Sequence, residues 1–134
     1  MAKHITDNLH NCFPVIVSDE DQPIVMEIHV GFNPSEALTV SVDYIDYDEP
    51  EYNCSTAAVV NETDAHEMAR HHKVKYSELP HFIAECMAPK WDIIINPDSH
   101  QVRECFKEIT ECLLDEGCRF TIERTYGPNE FTCL

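Results

Sequence analysis

Three features of the sequence predict an α+β fold, with an antiparallel or mixed sheet, about three helices packed on one of its faces, and residues 1–134 forming a single acidic domain. Residues 38–44 alternate apolar and polar, and residues 102–113 carry an apolar stripe at helical spacing. Between them, short strand-like and helix-like segments follow one another without a repeat, linker or low-complexity stretch. The chain is 43% apolar and 25% charged, which is globular composition. At this length it buries about two-thirds of its unfolded surface, enough to hold a core without disulfides or a structural metal.

The elements read in order. Residues 1–11 form a loose or capping segment. Residues 13–17 and 24–30 are strands, joined by the turn residues Ser18, Asp19, Glu20, Asp21, Gln22 and Pro23 as a hairpin. In the second strand Ile24, Met26, Ile28 and Val30 share a face, while Val25 lies opposite beside Glu27 and His29. After a turn at 32–35, Leu38, Val40, Val42 and Tyr44 point inward and Thr39, Ser41 and Asp43 point to water. The alternation slips at Ile45 and Asp46, as a bulge or strand end does. These three strands predict an antiparallel meander.

Residues 55–60 fit a strand or the approach to a helix. Asp64 and Glu67 have capping-box spacing for a helix over 65–72. Ser77 is a second N-cap, for a helix through Phe82, Ile83, Cys86 and Met87 that stops before Pro89. The apolar run 91–95, closed by Asn96 and Pro97, reads as a central strand. Ser99 then caps the strongest helix, 100–116, whose stripe is Val102, Cys105, Phe106, Ile109, Cys112 and Leu113, and Gly117 supplies its stop. Residues 119–126 alternate as a last strand before the turn Gly127-Pro128-Asn129.

Charge is the unusual property. The net charge is −16, from 25 acidic and 9 basic residues. Residues 1–69 hold fourteen of the acids and one base, Lys3, for −13; residues 70–134 carry only −3. A field of that sign repels nucleic acid and anionic membranes and attracts basic proteins or cations. Direct nucleic-acid binding and membrane binding are therefore not expected. The seven cysteines are an odd number, the N-terminal residues are polar, and no apolar run reaches the ~20 residues needed to cross a bilayer. A thiol-rich chain of this kind is expected in a reducing compartment, the cytoplasm.

Motifs of catalysis are absent. His66-Glu67-Met68-Ala69-Arg70-His71 resembles a zinc-binding helix, but its histidines are five residues apart, about 140° around a helix, and do not converge on one ion. The cysteines form no CxxC pair, and Cys86, Cys105 and Cys112 fall on apolar helix faces as core residues. Three scattered glycines exclude a phosphate loop. Residues 65–87 have the outline of a helix-turn-helix, but Glu78, His81 and Glu85 are poor groove-reading residues, and an αα-hairpin is the better description. No cofactor, catalytic residue or metal ligand is expected, although a Cys/His site gathered from distant segments stays open.

The remaining signal is the acidic segment Asp43, Asp46, Asp48, Glu49 and Glu51, with Tyr44, Tyr47 and Tyr52 between the acids. Asp19, Glu20 and Asp21 extend it if the first hairpin turn is nearby. Its plain reading is a solvated loop that aids solubility. Its functional reading is a docking surface for a basic partner, with tyrosines giving rigid contact area and Tyr47 as the anchor. On that reading the protein is an inhibitor or immunity-type factor that occludes the nucleic-acid-binding surface of a nuclease or another nucleic-acid-handling protein. The alternative is a small enzyme or metal- or ligand-binding protein using His and Cys residues near 66–86. That alternative requires a concave pocket gathering His71, His72 or His81 with Cys86 or Glu85.

Overall fold

The computed structural model describes residues 9–18, 24–49, 52–91, 94 and 97–126. The expected acidic residues Asp19, Glu20, Asp21 and Glu51 lie outside the described residues, as do the turn at 127–129 and most of the strand expected over 91–95.

Among the described residues the architecture is an α+β arrangement of five strands and three helices. Four strands come first: β1 (His10–Val17), β2 (Ile24–Phe32), β3 (Leu38–Asp46) and β4 (Cys54–Val60). The helices α1 (Glu62–His71), α2 (Leu79–Trp91) and α3 (Ser99–Asp115) follow, with a 3-10 turn at Tyr76–Glu78, and β5 (Phe120–Tyr126) closes the chain of elements. The sheet order is β1-β2-β3-β4-β5 and every pairing is antiparallel. The sheet is therefore antiparallel rather than mixed.

Register fixes the two faces of the sheet. Ile28 pairs with Val42 and Val30 with Val40, and Val40 pairs onward with Ala58, so these side chains form one continuous row. They join Ala65, Met68, Leu79, Ile83, Met87, Val102, Ile109 and Leu113 of the helices in one buried cluster. The opposite row runs through Glu27 and Asp43, His29 and Ser41, and Gly31 and Thr39. Here the expectation for β3 fails. Thr39, Ser41 and Asp43 do not point to water; all three are buried. β3 is the middle strand, so on this face too its side chains stand between those of β2 (Glu27, His29) and β4 (Ser55, Ala57), which take up the space water would otherwise fill.

Other differences have local causes. Residues 55–60 form β4, the partner that β3 needs on its second edge. The slip at Ile45-Asp46 is a strand end, whereas the irregular registers lie in β1, between His10 and Phe13 and between Pro14 and Ile16. α1 begins earlier than expected because Asn61, not Asp64, is its cap: Asn61 Oδ1 accepts from the Asp64 N–H at 3.1 Å. α3 is capped by Asp98 rather than Ser99, in a reciprocal box with Gln101 (2.8 and 3.0 Å), and Gly117 ends it at φ +81°.

The largest correction concerns Trp91, which is the last residue of a helix and not a strand residue. α2 runs through Pro89 despite the ring's missing N–H. Its last turn is held from outside: Trp91 is buried, and its indole N–H and the Lys90 ammonium both donate to Glu108 Oε2 on α3, at 3.1 and 3.0 Å. No helix among the described residues is long and apolar enough to cross a membrane.

Candidate functional site

The hairpin joining β3 to β4 carries most of the expected acidic surface. Asp46 ends β3 and bonds the turn to itself, its Oδ1 accepting from the N–H groups of Asp48 and Glu49, both at 3.0 Å. Asn53 Oδ1 accepts from the Asp46 N–H at 2.6 Å, and the Tyr52 N–H reaches the Glu49 carbonyl at 3.0 Å. Side-chain acceptors of this kind are how Asp and Asn stabilise tight turns. The result is a defined tip from which Tyr47 stands 60% exposed and Tyr52 36% exposed, with Asp48 and Glu49 exposed between them. Among the described residues, no basic side chain pairs with Asp46, Asp48 or Glu49. Ile24 is the register partner of Asp46, so the first residue of β2 lies at the same end of the sheet.

Asp43 does not belong to this surface. It is 2% exposed, three residues inside the sheet, and accepts a hydrogen bond from the Ser55 hydroxyl. Nor do the acids of residues 1–69 make one face. Glu36 lies at the far end with His10 (2.9 Å), Asp64 holds Arg119 (2.9 Å), Glu67 pairs with Arg70 (3.1 Å) and Glu62 approaches His66 (3.7 Å). The Arg119 guanidinium and N–H, both bonded to Asp64, draw that carboxyl below the ordinary aspartate range. Among the described residues, the expected docking surface thus contracts to the β3–β4 tip.

The second candidate is a pocket of about 250 Å³ among the helices. Met68, Phe82, Ile83, Met87, Ile109 and Leu113 give it an apolar body, and His72, Cys86, Cys112, Asp115 and Glu116 supply its polar groups. His72 Nε2 hydrogen-bonds the Glu116 carboxylate, and its ring packs on Phe82 with centroids 4.7 Å apart. His71 lies beside them, and His71, His72 and Glu116 place their ligand atoms within 4.8 Å of one another. Of the residues named by the alternative reading, His72 and Cys86 meet in this pocket. His81 and Glu85 pair with each other at 3.1 Å on the exposed side of α2, with His81 against Phe13. Cys86 and Cys112 are exposed rather than core, and Cys105 is the buried member of the three.

Both pocket thiols resist ionisation. Burial raises Cys86, helped by Glu85 and Glu116, and burial raises Cys112, helped by Glu108 and Asp115. A thiol held protonated is a weak nucleophile. Glu116 was invisible to sequence reasoning because it meets His72 only through the packing of α1 against the end of α3. Elsewhere, Cys54 in β4 is disulfide-bonded and so leaves the set of free thiols on which the expectation of a reducing compartment rests. Comparison with protein-family models, with curated proteins and with solved structures found no match.

Proposed function

We propose that this protein is a protein-binding module that docks on a basic surface through the β3–β4 tip. Its partner class is a nuclease or another nucleic-acid-handling protein of the cytoplasm, whose phosphate-binding groove the tip occludes as an inhibitor or immunity-type factor. The observation that carries the reading is the exposed Tyr47 ring on a self-bonded turn, flanked by carboxylates that no described basic residue neutralises. We read the three helices as lying against the Ile28–Val40–Ala58 row, which leaves this end of the sheet clear of them. Steering comes from the net charge, and tight binding from burial of Tyr47 at the contact.

The test begins with partners recovered from the native cell at low salt and then purified. Exposed ion pairs contribute ~0.2–1 kcal/mol each, so changing Asp46, Asp48 and Glu49 to Asn, Asn and Gln is expected to weaken binding by roughly 3- to 100-fold and to flatten its salt dependence. Tyr47→Ala is expected to cost about 2 kcal/mol, some 30-fold. Unchanged affinity and salt slope in the triple variant would remove the tip from the interface.

A second reading, a ligand-binding protein or small enzyme, is favoured by the pocket that brings His72 and Cys86 together. It predicts that Ile83→Trp, which fills the pocket, abolishes binding of a small apolar ligand while tip-dependent partner binding persists.

A further inference from the structure

The face of the sheet turned away from the Ile28–Val40 row holds a group of side chains that the docking reading does not use. Glu27 and His29 lie two residues apart on β2, so both project from that face, and Asp43 is the register partner of Glu27 across β3. One ligand atom from each of the three lies within 4.8 Å of the other two. Their carboxylate and imidazole groups are held by the two most extensively paired strands in the molecule, which fixes their relative positions better than a loop could.

The imidazole supplies the second observation. His29 Nδ1 is buried and has no hydrogen-bond partner. It faces Glu27 Oε2 at 4.0 Å, beyond hydrogen-bonding reach. A buried polar atom left without a partner costs ~1–3 kcal/mol, a cost that a bound ion would remove. A nitrogen and a carboxylate oxygen held slightly too far apart to bond each other are suitably spaced to share an ion. With bonds of about 2.1 Å, two tetrahedral ligand atoms are separated by about 3.4 Å, so 4.0 Å closes with small rotations of the side chains. The side chains of His29 and Glu27 are 16% and 23% exposed, which leaves a way in. The Ser55 hydroxyl, bonded to Asp43, orients that carboxylate as groups around metal ligands do.

We propose that Glu27, His29 and Asp43 form a binding site for one first-row divalent cation, Zn²⁺ by preference. Two carboxylates balance its charge, and the imidazole selects it over Mg²⁺ or Ca²⁺, which take oxygen ligands. Three protein ligands leave a coordination position for water or a small anion. The site is independent of the tip and of the helical pocket.

The test is zinc binding by the full chain after stripping with chelator, measured by calorimetry, with Co²⁺ absorption and X-ray absorption spectra reporting the ligands. One Zn²⁺ per chain is expected, with a single imidazole in the first shell. His29→Gln, Glu27→Gln and Asp43→Asn should each weaken binding by at least tenfold, the order lost when a metal site is perturbed. The variant His71→Ala/His72→Ala, which removes the competing surface group, should bind as the parent does. No zinc uptake by the parent overturns the proposal, as does tighter binding of Ca²⁺ than of Zn²⁺. Binding that survives His29→Gln and disappears in the His71/His72 variant overturns it equally. Should a cluster variant fail to fold by circular dichroism, the parent's spectra decide: two imidazoles, or thiolate sulfur, refute the assignment.

Discussion

Gly31→Ala is a substitution whose sign the structure decides. Gly31 lies within β2, paired with Thr39, and its φ is not in the left-handed region, so backbone conformation alone would accept alanine. Removing a glycine's freedom from the unfolded chain would then stabilise by ~0.4–1 kcal/mol. The added Cβ, however, would stand 3.0 Å from the His10 carbonyl oxygen, 3.1 Å from Cys12 Cα and 3.2 Å from Cys12 Cβ. Carbon atoms in good contact sit ~3.5–4.0 Å apart. Two of the three atoms are backbone, and β1 is irregular there, its register shifting between His10 and Phe13. Pushing that backbone away is an overpacking cost of ~1–3 kcal/mol, larger than the entropic gain. We expect net destabilisation of about 1–2 kcal/mol, or roughly 3–8 °C in Tm. Thermal and urea unfolding, followed by fluorescence and circular dichroism together, measure it. Amide exchange should quicken most in β1, the edge strand that has to move. A variant as stable as the parent or more so would show that β1 does not press on Gly31, and the reasoning would fail.

Three further outcomes follow from the same structure. Arg119 lowers the Asp64 carboxyl, so this group stabilises the fold above its unfolded pKa and loses that contribution as pH falls through its lower folded value; carboxyl NMR should show Asp64 titrating below ordinary aspartates and returning toward them in Arg119→Gln. Burial pushes the Cys105 thiol up to about 12 and those of Cys12 and Cys118 up to about 11. A raised thiol pKa leaves stability intact below the unfolded value near 9 and erodes it above, so urea midpoints should fall from pH 9 to 10 and fall less in Cys105→Ala. Asp98→Ala removes the α3 cap and should cost about 1 kcal/mol in unfolding free energy, a loss that Asp98→Ser should largely restore.

What the sequence revealed was what neighbouring residues determine. The alternation of β3 and the stripe of α3 are properties of a few adjacent side chains, and both were legible. Asp43 was misread because alternation distinguishes the two faces of a strand without naming its cross-strand neighbours; Glu27 on β2 and Ser55 on β4, on either side of it, shield the carboxylate. Trp91 was misread because Pro89 normally ends a helix, and the contacts that carry α2 past it come from Glu108 on another element. The count of fourteen acids in residues 1–69 could not say which of them have partners: Arg119 and His10, distant in sequence, claim Asp64 and Glu36. The cluster of Glu27, His29 and Asp43 depends on the β2–β3 register, which no motif spacing encodes.

The order of strands across the sheet has a consequence for biosynthesis. β1 to β4 can pair as each emerges, since each neighbour has just been made. β4 must then wait for α1, α2 and α3 to be synthesised before β5 covers its other edge. Through that interval the segment Ala57-Ala58-Val59-Val60 presents unsatisfied backbone groups on an apolar strand, the kind of edge that recruits other chains. Ribosome stalling or a premature stop ahead of Phe120 should therefore yield aggregates and not a smaller soluble protein, and the nascent chain is most in need of a chaperone while its helices are being made.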